Sequence, residues 1–185
     1  GVHLVADVED LLLGRAQEAD VIAVFCPVID SPRCLLVHAE AGIDSFEKLA
    51  AAKDFTLAMN PGQPFAQYLT KTLKLDGLTM VPYPGNITQF LLEPRFGQQA
   101  YSFSEPFVAR QNGATPQLLM LSELGFNTYT SMLVVSRSTW DTDPVLVQKV
   151  VRASQRGWQH YLKEPDATNA RIHAANSEMS LEILA

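Results

Sequence analysis

Long apolar runs are missing from this chain. The longest, Val21 to Ile29, is broken by Pro27 and falls far short of the roughly 20 residues that a membrane-spanning helix needs. Cysteine is scarce: Cys26 and Cys34 stand alone, outside any CxxC pair and away from His or Cys at zinc spacing. A disulfide or two buried thiols are the two readings, and free cysteine's habit of behaving as a small core hydrophobe favours the thiols. Basic clusters are absent and the net charge is −6, so nucleic acid is not an expected partner. No basic-plus-apolar leader opens the chain, so the sequence as numbered is mature, cytosolic or trimmed. There is no glycine-rich phosphate loop, no nucleophile elbow and no paired-carboxylate arrangement. These absences remove the usual marks of an enzyme, and no cofactor or metal is expected.

What remains is the composition of a globular protein, 47% hydrophobic and 18% charged over 185 residues, enough for one ordinary domain or two small lobes. Strand and helix signals alternate along the chain. The tail of a short strand at Gly1 to Val5 leads through the acidic loop Ala6–Asp10 to a helix over Leu11–Glu18, with Leu11, Leu12 and Ala16 on one side. Val21 to Val28 and Cys34 to His38 read as buried strands separated by a turn at Asp30-Ser31-Pro32. Asp44-Ser45-Phe46-Glu47 supplies a capping box for a helix through Ala51. Phe55 to Met59 is a strand, Asn60 to Pro64 a loop, and Phe65 to Leu73 a helix that ends at Asp76-Gly77. A strand over Leu78–Tyr83, a short helix with the capping pair Asn86 and Gln89, and strands over Gln117–Leu121 and Thr130–Ser136 follow. Asp143-Pro144 opens the longest helix, whose inner face carries Val147, Val150, Val151, Ser154, Trp158 and Tyr161. A last helix covers Ala167 to Ala175. His3, His38, His160 and His173 are scattered and read as structural.

The segment Gln98 to Arg110, QQAYSFSEPFVAR, carries the clearest candidate site. Its alternation predicts a strand, and Ser104-Glu105-Pro106 then starts a helix, which puts Ser104 and Glu105 at the strand's carboxyl end. Ligands bind at that end of open α/β sheets, although both residues would serve equally as cap and dipole partner of the helix. Gln98 and Gln99 alternate, so one at most faces a ligand.

The expected fold is α/β with mixed, mostly parallel sheets. Residues 43–125 hold a set of four strands, flanked by 1–42 and 126–185, which look like two halves of another sheet. That pattern is a lobe inserted into a lobe, crossing near Ala41–Gly42 and Gly125–Asn127, with a central cleft.

Four stretches, GIDSFEKLA (Gly42–Ala50), VPYPGNITQFL (Val81–Leu91), QQAYSFSEPFVA (Gln98–Ala109) and VRASQRGWQHYLKEP (Val151–Pro165), together resemble the substrate-binding proteins of ABC importers for nitrate, sulfonates, taurine and thiamine-pyrimidine precursors. That group has the type II periplasmic-binding-protein fold, and its members are longer at both ends, so the resemblance implies an incomplete first lobe. It also implies an extracytoplasmic, monomeric binder that closes on a small molecule and presents it to a membrane permease and ATPase. Ligand contacts are then expected from Asn60, Gly62, Gln63 and Phe65, from Gln99, Ser104 and Glu105, from Asp7 and Glu9, and from Asn127 and Tyr129. Phe65 and Tyr129 are candidates to sandwich a planar ring. The acids, amides and aromatics of these loops favour a neutral or amine-bearing heterocycle such as a pyrimidine over an inorganic anion. A sensory receptor domain and a thiamine-pyrimidine synthase-like enzyme are the alternatives, the second disfavoured by the lack of a cysteine-rich iron motif.

Overall fold

A computed structural model describes residues 4–177 and 179–184, so His3 and the start of the first expected strand lie outside the described residues. In chain order the elements are β1 (Leu4–Ala6), α1 (Val8–Ala16), β2 (Val21–Phe25), β3 (Arg33–His38), α2 (Phe46–Ala51), β4 (Phe55–Ala58), α3 (Pro64–Thr72), β5 (Leu78–Val81), α4 (Thr88–Leu92), β6 (Phe96–Tyr101), α5 (Glu105–Gln111), β7 (Pro116–Met120) and β8 (Met132–Ser136), then α6 (Arg137–Thr142), α7 (Pro144–Tyr161), α8 (Asp166–Ala175) and α9 (Leu181–Leu184). They fall into two compact units, one of residues 1–30 and 128–185, the other of residues 31–127.

The second unit is built on a five-stranded sheet in the order β5-β4-β6-β3-β7. All six residues of β3 are buried, because helices cover both faces of the sheet. Phe46 and Leu49 of α2, with Phe65 and Leu69 of α3, pack on Leu35, Val37, Phe55, Leu57 and Leu119. On the opposite face Phe90 of α4 and Ala109 of α5 meet Cys34, Leu36, Ala58, Phe96 and Ala100. Gly97 is demanded by this closeness: a Cβ there would lie 3.0 Å from both Phe55 Cε1 and Val37 Cγ1. Pairing is parallel for β4 with β5 and with β6, and antiparallel for β3 with β6 and β7.

Two features differ from the sequence reading. The mostly parallel pairing narrows to the two β4 ladders, since β3 runs against its neighbours. β3 itself, placed with residues 1–42, belongs to the sheet of the inserted unit, which moves the first crossing to Asp30–Ser31. A short apolar run announces burial on both faces, but nothing local says which sheet buries it. Asn127 Oδ1 accepts the Ser31 amide at 2.8 Å, joining the unit's first and last residues.

The other unit holds a three-stranded antiparallel sheet, β1-β8-β2, with α7 over β2. The α7 helix starts where Asp143 accepts the Leu146 amide at 2.9 Å, as its Asp-Pro signal implies. Val147 is its buried anchor, whereas Trp158 remains 39% exposed. The first helix departs from its reading. It begins at Val8 rather than Leu11, leaves Leu12 and Leu13 exposed, and buries Glu9 instead. The strand expected over Val21–Val28 stops at Phe25, before Pro27, and Val28 makes only an isolated bridge to Thr130. Among the described residues no helix is long and apolar enough to cross a membrane.

Candidate functional site

At one end of the five-stranded sheet, the carboxyl ends of β4, β6 and β7 converge on the amino end of β3. Two loops leave from there. Asn60–Gln63 runs from β4 to α3, and Ser102–Ser104 runs from β6 to α5. Gln99 ties the first loop down, because its Oε1 accepts the Asn60 amide at 2.7 Å. The loop is itself a turn closed by the Gln63 amide on the Asn60 carbonyl at 3.1 Å. Gly62 is exposed and Gln63 precedes α3 without capping it by its side chain.

The second loop is held by Glu105. Its Oε2 accepts the Tyr101 amide at 2.9 Å, and its Oε1 accepts the Tyr83 hydroxyl at 3.4 Å. Glu105 therefore stitches the end of β6, the start of α5 and the loop after β5 together. Ser104 sits at the helix start with φ −123° and ψ −86°, and its hydroxyl makes no cap. The hydroxyl cap anticipated from the sequence is absent because Glu105 reaches back to the strand instead.

The side chains gathered here include several that sequence reasoning passed over. Arg33, 7% exposed, opens β3 directly opposite Tyr101. Its guanidinium carbon lies 4.6 Å from the Phe65 ring centroid and 5.1 Å from that of Tyr101, both within cation–π range. Tyr101 in turn stacks on Phe103, with centroids 5.7 Å apart and planes 10° from parallel. Phe103 is 67% exposed. The result is a ladder from a buried cation through one ring to an open one. Phe65, expected to present its ring to a ligand, is enclosed in the core beneath Arg33. The exposed platform is Phe103. Tyr101 and Phe103 stood in the alternating segment already singled out, but Arg33 carried no local signal, since it meets them only through the β3–β6 ladder.

Asp7, Glu9 and Tyr129 belong to the other unit. Asp7 Oδ1 accepts the Ser131 amide at 3.1 Å, and the Tyr129 carbonyl accepts the Val8 amide at 3.0 Å, which brings Asp7 and Tyr129 into one patch. Tyr129 is 51% exposed and Glu9 is buried within α1. Arg95 binds the carbonyls of Lys53 and Asp54, before β4, and Arg110 is exposed in the last turn of α5.

Burial, with the Glu105 carboxylate as the lesser cause, pushes the Cys34 thiol up to about 12 and the Tyr83 phenol up to about 12. Both shifts favour the protonated form in the folded chain. The stability they contribute is complete below the ordinary values of 9.0 and 10.0 and is lost as pH rises towards about 12. Urea midpoints are expected to fall over that window, and Tyr83→Phe should remove part of the fall at its upper end. Iodoacetamide at about pH 8 should leave Cys34 unmodified until the protein unfolds. Modification of the folded protein at this position would contradict the burial.

Among the described residues no group of three or more His, Cys, Asp or Glu could hold a metal ion. The arrangement offers recognition groups: an exposed aromatic platform at Phe103 beside a loop that Gln99 tethers.

The fold is that of the periplasmic binding proteins. The periplasmic aliphatic sulphonate binding protein SsuA of Escherichia coli superposes with a TM-score of 0.73 at 14% identity, over 94% of this chain and 57% of that one. The alkanesulfonate-binding SsuA of Xanthomonas axonopodis pv. citri, bound to MOPS, gives 0.62 at 17% identity over 94% and 61%. A ligand-binding component of an ABC-type import system from Staphylococcus aureus, with zinc bound, gives 0.64 at 10% over 98% and 63%. The chain thus spans about three-fifths of the length of these solved relatives. No curated protein matches the sequence. A family model described as NMT1/THI5 like matches residues 5–168, nearly the whole chain, and the protein belongs to that family.

Proposed function

We propose that this protein is the solute-binding component of an ABC importer, holding a small ring-bearing organic molecule and delivering it to a membrane permease with its ATPase. Its place of work is extracytoplasmic, it acts as a monomer, and it performs no chemistry on what it binds. Family membership and the periplasmic-binding-protein fold support the binding role. The observation that carries the ligand reading is the Arg33–Tyr101–Phe103 ladder at the carboxyl ends of β4 and β6, beside the Gln99-tethered Asn60 loop. An exposed ring stacked on another ring is a surface for a planar molecule, and a backbone turn held at fixed distance supplies directional polar contacts. A pyrimidine-like heterocycle fits those two requirements. Glu105, Gln99 and Asn127 hold the loops of this unit in place, while Asn60, Gly62, Gln63 and Ser104 contribute contacts. Asp7, Glu9 and Tyr129 are the corresponding candidates of the other unit.

The test is a thermal-shift panel on the full-length protein. Pyrimidines, flavins or other planar rings are expected to raise the unfolding midpoint by several degrees at saturating concentration. Stabilisation by taurine or nitrate alone, with none from any ring compound, would overturn the ring reading.

A further inference from the structure

Beside β5, an edge strand of the five-stranded sheet, lies a cavity of about 220 Å³. Met59 and Pro61 wall it from the end of β4, Ala66 and Thr70 from α3, and Met80 and Pro82 from β5 and the loop after it. None of its lining residues is charged. Its one hydroxyl, that of Thr70, donates to the carbonyls of Ala66 at 3.0 Å and Gln67 at 3.2 Å, so it is spent on its own helix. The Met59 amide is spent as well, on the Val81 carbonyl at 3.0 Å, and Pro61 and Pro82 have no N–H to offer. Phe65, under the Arg33 guanidinium, is one residue from Ala66 and so about 100° away around α3. The cavity and the aromatic ladder therefore occupy different flanks of that helix.

From this lining we infer that the cavity is an accessory binding site for a small, neutral, apolar molecule: a single hydrocarbon ring or a compact alkyl group. An apolar cavity of roughly 150 Å³ is enough to hold benzene, and the space here is larger. A polar or charged molecule would give up its water with nothing to replace it. Met59 and Met80 have the freedom to repack around occupants of different outline, while the two prolines keep the rim rigid. Pro61 also belongs to the turn that the Gln63 amide closes on the Asn60 carbonyl, so an occupant braces that turn from the β5 side. The inference goes beyond the solute-binding reading and stands or falls separately from it.

The experiment is a benzene titration of the full-length protein carrying ¹³C-methyl methionine, read by NMR. The methyl signals of Met59 and Met80 are expected to shift saturably, with half-saturation at about 1 mM or below. Those of Met120 and Met132, which do not line the cavity, should stay in place. Benzamide and benzoate keep the ring and add an amide or a charge, and should bind at least about tenfold more weakly. Ala66→Leu puts a side chain into the space and should weaken benzene at least about tenfold. Ala66 is buried, so overpacking there can cost stability. Met80→Gln is therefore the second variant: Met80 is 40% exposed, the length is kept, and benzene should weaken about fivefold. Equal shifts at every methionine would mark unspecific partitioning and overturn the site. So would an absence of any shift, benzene binding unchanged in both variants, or benzoate binding as tightly as benzene.

Discussion

Phe65→Ala is expected to lower stability by about 3–5 kcal/mol, the largest effect of any single substitution near the proposed site. Phe65 has no exposed surface and belongs to the cluster formed by α2, α3 and one face of the five-stranded sheet. Truncating it leaves a cavity among Leu and Phe side chains that cannot close without moving a helix. It also takes away the ring over which the Arg33 guanidinium lies. Against a total stability of about 5–15 kcal/mol, the loss brings the unit close to unfolding at ambient temperature. With a urea slope of about 1–3 kcal/mol/M the midpoint should drop by at least about 1 M. Phe65→Leu separates the two contributions: it retains most of the apolar volume and forfeits only the ring. A drop for Phe65→Ala of under about 1 kcal/mol would show that the ring is not the core element described.

Gln98→Leu is expected to work in the opposite direction, raising stability by about 1–3 kcal/mol. Gln98 is fully buried on β6, facing the apolar cluster around Phe90 and Phe96, and neither its Oε1 nor its Nε2 has a protein hydrogen-bond partner. A buried amide in that position forgoes its bonds to water without replacement. Leucine is of similar volume and carries no such cost. The gain should appear as a higher unfolding midpoint by several degrees, at an unchanged urea slope. If Gln98→Leu lowers the midpoint, the amide is contributing a bond, and the accounting of this face is wrong. The same substitution at Gln99 should behave differently, since that side chain holds the Asn60 amide at 2.7 Å.

These two glutamines show what can be read from a sequence and what cannot. Their alternation told that they face opposite sides of a strand, and they do. It did not tell which side was dry. Glu105 makes the same point: its position at a strand-to-helix turn was legible from Ser104-Glu105-Pro106. Its engagement with Tyr83 and Tyr101 was not, because Tyr83 arrives from another loop.

The order of strands and helices, the Asp143-Pro144 start of α7, the resemblance over four ordered stretches and the choice of Gln98–Arg110 came from the sequence by itself. Each depends on periodicity, capping chemistry or residue order, all of which act over a few residues. Only the tertiary structure decided that β3 lies in the inserted unit's sheet and that Phe65 is enclosed while Phe103 is open. It alone placed Arg33 against Tyr101 across a ladder that joins residues far apart in the chain. Strand pairing is a non-local choice set by which faces can be buried together, so a cation that opens one strand gains its aromatic neighbours only once the sheet has formed.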